Sequence, residues 1–272
     1  MTAYEKVLKA RAKDRPTAMA YIENVFEDFI ELHGDRNFAD DPAIVAGLAS
    51  LFGRPVTVVG IEKGVDTKDR IFRNFGSAHP EGYRKALRLM KQAEKFHRPV
   101  ICLVDTSGAY CGIGAEERGQ GEAIATNLME MMALKTPIIS IIIGEGGSGG
   151  ALALAVADQI WMLENAVFSV ISPEGAASIV WKDAAKVEDA CEALKMTAQD
   201  LKSLGMIDRI FSEPAEASSG EEEQDPPQDR FAKVYTALKV ALKETLDESC
   251  TLSPDALIQR RYEKFRQIGR QI

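Results

Sequence analysis

The sequence predicts an α/β protein with a largely parallel sheet covered by helices on both faces. Three short apolar runs, residues 100–104, 138–143 and 160–163, have the length of buried strands and alternate with longer stretches of helical periodicity. Glycine-rich segments sit where two of those runs end. With 46% hydrophobic and 27% charged residues among 272, the chain has material for one sizeable core, and no internal repeat or second domain is evident.

Charge and composition exclude several classes. A formal net charge of -8 argues against a nucleic-acid partner held on a basic face. Part of that acidity is one run, Glu221-Glu222-Glu223-Gln224-Asp225. The first residues lack the apolar core of a signal peptide, and no apolar stretch reaches the ~18 residues a membrane span needs. A cytoplasmic protein with no membrane association is expected. Cys102, Cys111, Cys191 and Cys250 are widely spaced without a CxxC pair, so reduced thiols and no metal site in this chain are expected.

Taken in order, residues 4–13 read as a short amphipathic arm. Thr17 is a plausible N-cap for a helix carrying Tyr21, Val25, Phe29 and Leu32 on one face and ending at Gly34. Residues 43–51 and 55–61 flank Phe52-Gly53-Arg54 as a hairpin-like pair of strands. A polar loop over 62–77 leads to a helix from Pro80 to about Phe96, then the strand 100–104 and a glycine-containing loop, 105–114. A helix over 116–134 and the strand 138–143 follow. Residues 144–150 read as a loop feeding a small-residue helix, 151–157. Strands at 160–163 and 167–171, two helices within 183–204, and a last strand at 207–211 complete the body. Residues 213–229, rich in Glu, Ser, Pro and Gly, read as a mobile insertion. Residues 231–246 and 254–268 return to helical periodicity, with Val234, Leu238 and Leu242 on a face that must be covered.

The segment Gly144-Glu145-Gly146-Gly147-Ser148-Gly149-Gly150-Ala151 carries the chemical signal. Glycines let a backbone approach a ligand closely, and the free N–H groups opening the next helix point at whatever sits there. A phosphate loop would need GxxxxGK[ST], but Gly150 and Ala151 follow Gly149 and no Lys does. The run also satisfies GxSxG around Ser148, yet His33, His79 and His97 all lie upstream, whereas an α/β-hydrolase places its base downstream. Other triad orders place the His first, and a tight strand-to-helix crossover would also call for small residues; a third chemical reading is an oxyanion hole of backbone N–H groups without a side-chain nucleophile. Asp105-Thr106-Ser107-Gly108-Ala109-Tyr110-Cys111-Gly112-Ile113-Gly114, also between strand and helix, would line the same crevice. Glu116, Glu117 and Glu145 read as helix-start and solvated positions. Lys63, Lys68, Arg70 and Arg73 read either as a solvated face or as partners for phosphate.

Together these segments resemble the carboxyltransferase α subunit of bacterial acetyl-CoA carboxylase. The resemblance extends to Ala39-Asp40-Asp41-Pro42-Ala43-Ile44-Val45, Arg73-Asn74-Phe75-Gly76, the run from Pro80 to Met90, Gly114-Ala115-Glu116-Glu117-Arg118-Gly119-Gln120, the run from Val170 to Ile179, and Arg260-Arg261-Tyr262, covering roughly residues 17–268. It implies a crotonase-like (ClpP/crotonase) fold of stacked β-β-α units. The expected organisation is a helical arm, 1–34, a carboxyltransferase core, 35–212, the acidic insertion, 213–229, and C-terminal helices, 230–272. It implies backbone oxyanion donors at Gly149 and Gly150, and a carboxybiotin pocket at Gly108, Ala109, Tyr110, Gly146, Gly147 and Ala151. The biotin would be carried on a partner, the biotin carboxyl carrier protein. Biotin carboxylase and a β subunit with a zinc ribbon are the other implied partners, the latter in an α2β2 assembly converting acetyl-CoA to malonyl-CoA for fatty acid biosynthesis. Ser107 and Cys111 stand where the family usually has Pro, and Ala176 where it often has Cys. A related decarboxylase, a propionyl-type carboxyltransferase, or a non-catalytic stabiliser of the β subunit are the alternatives.

Overall fold

The structure, a computed structural model, describes residues 1–214 and 230–270. Helix α1 (Ala3–Ala10) opens with a reciprocal Thr2/Glu5 capping box, and α2 (Ala18–Val25) follows. The expected helix does not run on to Gly34. Residues Glu27–Glu31 form strand β1, antiparallel to β2 (Ile44–Leu51), so Phe29 lies on a strand. The weak helical periodicity loses here to pairing on a sheet edge. Gly47 admits the approach, because a side chain there would overlap the Ile30 carbonyl.

Strand β2 pairs with β3 (Arg54–Ile61) in the expected hairpin, with Leu51 opposite Arg54. Within the polar segment lies the short α3 (Thr67–Phe72), capped by Asp66. Helix α4 (Pro80–Lys95) starts on a proline at its first turn and buries Tyr83, Ala86, Leu89, Met90 and Ala93. Strand β4 (Val100–Thr106) is buried throughout. The predicted 116–134 helix is two, α5 (Ile113–Glu117) and α6 (Gln120–Ala133), broken by Gly119 at φ 80°.

Strand β5 (Ile138–Gly147) takes in most of the glycine-rich segment expected to be a loop, and α7 (Ser148–Leu152) begins three residues earlier than expected. The cause is pairing: β5 forks, its first half joining β6 (Gln159–Leu163) and its end joining β7 (Val167–Ser169). Then come α8 (Pro173–Ala176), a π-helical turn (Ala177–Trp181), α9 (Val187–Leu194), α10 (Ala198–Ser203) and β8 (Arg209–Phe211). The sheet order is β1-β2-β3-β4-β5-β6-β8, antiparallel through β3 and parallel beyond it.

The helix Ala232–Ser249 buries Val234, Leu238 and Leu242 in the main core, and α2 packs against it. The apolar face expected to need a cover is thus covered by this chain. Most of the insertion expected at 213–229 lies outside the described residues, but Glu213 lies within them. Its carboxylate takes two bonds from Arg15, at 2.6 and 2.7 Å, and one from the Asn165 N–H, so that residue is anchored. Among the described residues no helix is long and apolar enough to cross a membrane.

The last helix, Pro254–Gln267, is pinned by Arg261, whose side chain is fully buried. Its guanidinium forks onto Asp158 at 2.9 and 2.8 Å and donates to the carbonyls of Met131, Leu134 and Thr136. Arg261→Met leaves Asp158 and three carbonyls without that donor, and a loss of about 3–5 kcal/mol is expected in urea unfolding. A loss below about 1 kcal/mol would show that the helix is held by its apolar contacts alone.

A second buried cation, Lys85 on α4, donates to Asp40 at 2.6 Å and to the Asp41 carbonyl. Burial pushes the Asp40 carboxyl up, but Lys85, the Gly34 N–H and His33 outweigh it and bring it down to about 2. A depressed carboxyl contributes stability above its unfolded pKa of roughly 3.9 that is lost as pH falls towards the folded value. Asp40→Asn should therefore lower the urea midpoint at pH 7, with the gap to the unsubstituted chain narrowing between pH 4 and 2. A gap independent of pH would refute the pairing.

Candidate active site

The parallel strands β4 and β5 end side by side, with Thr106 opposite Gly146, and both glycine segments leave from those ends. They touch directly. A side chain at Gly147 would overlap the Ser107 carbonyl, and one at Gly150 would put its Cβ 2.5 Å from the Ala109 nitrogen and 2.9 Å from Tyr83 Oη. Only glycine fits at either position. Gly149 differs, meeting nothing nearer than Ile124 at 3.5 Å. The first loop is fixed by Thr106, whose hydroxyl accepts from the Gly108 N–H and donates to the Gly108 carbonyl. Tyr110 stacks on His79 at 4.1 Å, and Gln120 donates to the Tyr110 carbonyl.

Helix α7 starts without a side-chain cap, so its first N–H groups have no intrahelical partner. Beside them Ser148, Gly149, Leu152, Phe168, Leu204 and Met206 line an open, largely apolar groove of about 390 Å³. Of the expected pocket residues, Gly108, Ala109 and Tyr110 reach the surface on the first loop. Gly147 is half-buried between the loops. Gly146 and Ala151 are buried, Gly146 against Phe168, and they support the site without lining it. The groove wall from Phe168, Leu204 and Met206 carries no motif of its own and was not foreseen.

Ser148 is exposed and holds a positive φ of 51°, a backbone shape costly for a residue with a Cβ. A nucleophile would need a base. Among the described contacts His33 meets Asp40 and Glu31, and His79 meets Asn74, Asp41 and Tyr110. His97 sits at the end of α4, and none of the three histidines is bonded to Ser148.

Behind the loops lies a charged knot. Asp105 accepts from the Glu145 N–H at 2.8 Å and pairs with Lys63 at 2.6 Å, while Glu145 takes Lys63 at 3.0 Å and Arg11 at 2.7 Å. Burial pushes the Glu145 carboxyl up, but Lys63 and Arg11 outweigh it and hold it below its usual range. Burial likewise pushes the Lys63 ammonium down, and Asp105 and Glu145 more than offset that. Glu145 is therefore no solvated loop position, and Lys63 faces carboxylates of this chain and not a phosphate. The sequence does hold a signal for this knot: a charged residue lies within two positions of the end of each of three neighbouring strands, Lys63 after β3, Asp105 in β4 and Glu145 in β5.

A forked, mostly parallel sheet thus brings two glycine segments together at an uncapped helix start. The model of the acetyl co-enzyme A carboxylase carboxyltransferase-like family matches residues 1–269, and the chain belongs to that family. The acetyl-coenzyme A carboxylase carboxyl transferase subunit alpha of Ruminiclostridium cellulolyticum is 59% identical over 99% of this chain and 98% of its own. A Natranaerobius thermophilus protein named for subunits beta/alpha together is 58% identical over 99% of this chain and 43% of its own. Among solved structures, a Pseudomonas malonate decarboxylase heterotetramer in complex with coenzyme A superposes with a TM-score of 0.67 at 16% identity, covering 94% of this chain and 99% of that one. Transcarboxylase 12S superposes with 0.64 at 20% identity over 85% of this chain and 42% of that one. These likenesses show the crotonase-like fold, and the α-type relatives carry the assignment as an acetyl-CoA carboxyltransferase.

If the donors are backbone N–H groups, Ser148→Ala should leave kcat nearly unchanged, since its hydroxyl has no base. Gly150→Val should be severe, because its side chain meets Ala109. A loss above ~100-fold for a folded Ser148→Ala enzyme would sink the donor-only site.

Proposed function

We propose that this chain supplies the carboxybiotin half of an acetyl-CoA carboxyltransferase whose other half lies on a zinc-ribbon β subunit. The observation that carries the reading is the meeting of two glycine segments at an uncapped helix start beside an apolar groove. The residues fit such a substrate. The glycines at 147 and 150 keep the loops in contact, and a Cβ at Gly149 would come no nearer than 3.5 Å to Ile124. Carboxybiotin, presented by the biotin carboxyl carrier protein after loading by biotin carboxylase, brings an activated carboxyl group and a ureido nitrogen able to take a proton from acetyl-CoA.

The chain's part is electrostatic. The N–H groups of Gly149 and Gly150 stabilise the charge that develops on the ureido oxygen, each good donor contributing on the order of 3 kcal/mol. The apolar walls from Leu152, Phe168 and Met206 exclude water and strengthen those bonds. No side-chain base is required, which agrees with His33 and His79 being engaged elsewhere. Malonyl-CoA for fatty acid biosynthesis is the product of that transfer, made by an α2β2 enzyme. The open groove and the exposed Val170, Ile179 and Val180 near it suit coverage by the β subunit, and the relative named for beta/alpha carries both in one chain.

The purified chain alone should transfer little or no carboxyl group between malonyl-CoA and free biotin, and adding the β subunit should restore transfer. Full activity from this chain alone would overturn the division of the site.

A further inference from the structure

We infer that Arg11, just after α1, is a positioning residue for carboxyl transfer that holds the two walls of the groove in register. The inference rests on the reading that the groove receives the carboxyl donor. One wall is the end of β5 with Ser148 and Gly149, and the other is β7 with Val170 beyond it. The first wall turns from the end of β5 into α7, and the second runs on from β7. They pair with one another over only three positions, from Glu145 opposite Val167 to Gly147 opposite Ser169.

Arg11 bridges them. Its Nε donates to Glu145 Oε1 at 2.7 Å, four residues before Gly149, and its Nη1 donates to Glu174 Oε1 at 2.5 Å on α8, four residues after Val170. A second, longer bond at 3.3 Å from Nη2 completes a fork onto Glu174. The arm that carries Arg11 is itself seated. Ala3, Val7 and Ala10 pack with Val167, Cys191 and Met196, and the Ala3 N–H donates to Glu192 at 2.9 Å. The guanidinium thus starts from a helix resting on β7 and α9 and reaches over to β5.

Removing Arg11 would not unfold the knot, because Glu145 keeps Lys63 and its N–H keeps Asp105. What is lost is the tie between the walls. A displacement near 1 Å at reacting groups can cost on the order of 100-fold, so loosening should reach kcat while acetyl-CoA affinity, held mostly by the partner, stays put.

The test uses the reconstituted complex with Arg11→Gln, Arg11→Lys and, as a control of equal charge change, Arg54→Gln, which on β3 pairs with Asp247 of the helix Ala232–Ser249. Arg11→Gln should lower kcat by roughly 10-fold or more with KM for the acyl-CoA within about twofold. Arg11→Lys, able to keep one carboxylate, should be intermediate, and Arg54→Gln unchanged. Amide hydrogen exchange should rise at 144–150 and 167–174 in Arg11→Gln but not along β2 and β3. Exchange unchanged at both walls, exchange raised throughout the chain, or kcat within about twofold overturns the inference. Exchange decides it without catalysis, so an unsubstituted complex that transfers no carboxyl group would fell the functional reading separately.

Discussion

The Asp105 carboxylate is the point on which the site's architecture depends. It closes β4, is 5% exposed, and binds both the Glu145 N–H of the neighbouring strand and the Lys63 ammonium that follows β3. Parallel neighbours normally diverge where their loops leave. Here one side chain takes the place of a ladder bond, the β4–β5 register shifts between Val104 and Thr106, and β5 continues to Gly147. That extension gives β7 an edge to pair with, and β7 makes the second wall of the groove. Gly144 belongs to the same constraint, because any side chain there would overlap the Asp105 carboxylate.

The glycines of the segment therefore do different things. Gly144 makes room for Asp105, Gly146 for Phe168, and Gly147 and Gly150 for the backbone of the first loop. Gly149 alone has ordinary space around it. A glycine-rich run that looks like one ligand-binding feature is mostly packing, and the ligand-facing part is what the packing leaves open. The sharp turn into α7 falls on Ser148, which holds the left-handed conformation at a cost of roughly 1–2 kcal/mol. The surrounding contacts over-determine the turn, and the N–H groups after it are presented by a rigid corner.

The hairpin, α4 and the buried strands were legible because each has a clean period or a tight turn, and the family was legible from its spaced motifs. Three features were not. β1 carries a helical spacing of Val25, Phe29 and Leu32, and only the vacant edge of β2 makes it a strand. Residues 144–147 contain three glycines, which argue against a strand, yet β7 and Asp105 supply pairing from residues distant in sequence. The long helix over 116–134 hides a break, because Gly119 looks like a tolerated interior glycine until its φ of 80° is seen. In the site, the glycine-rich segment follows from local pattern, whereas the choice of Gly149 and Gly150 as donors comes from the family resemblance. The groove wall joins residues from 148 to 206, and the Arg11 bridge joins segments more than a hundred residues apart, and no local pattern records either.

Glu145 poses the remaining electrostatic question, since it places a carboxylate close in sequence to the N–H groups proposed as donors to a negative charge. A free carboxylate there would oppose a developing oxyanion, most strongly in a site that excludes water. The answer lies in its two cations. Lys63 and Arg11 both bond to Glu145 and hold its carboxyl below the usual range, so it stays charged and paired at neutral pH. Lys63 is shared by Asp105 and Glu145, and Arg11 by Glu145 and Glu174, so the Glu145 carboxylate alone faces two cations. Neutralising Glu145 by substitution would leave Lys63 and Arg11 with a partner less, and the backbone of β5 would lose the side chain that ties it to the arm. The acid is kept as a rivet for β5, with both of its cations in direct contact.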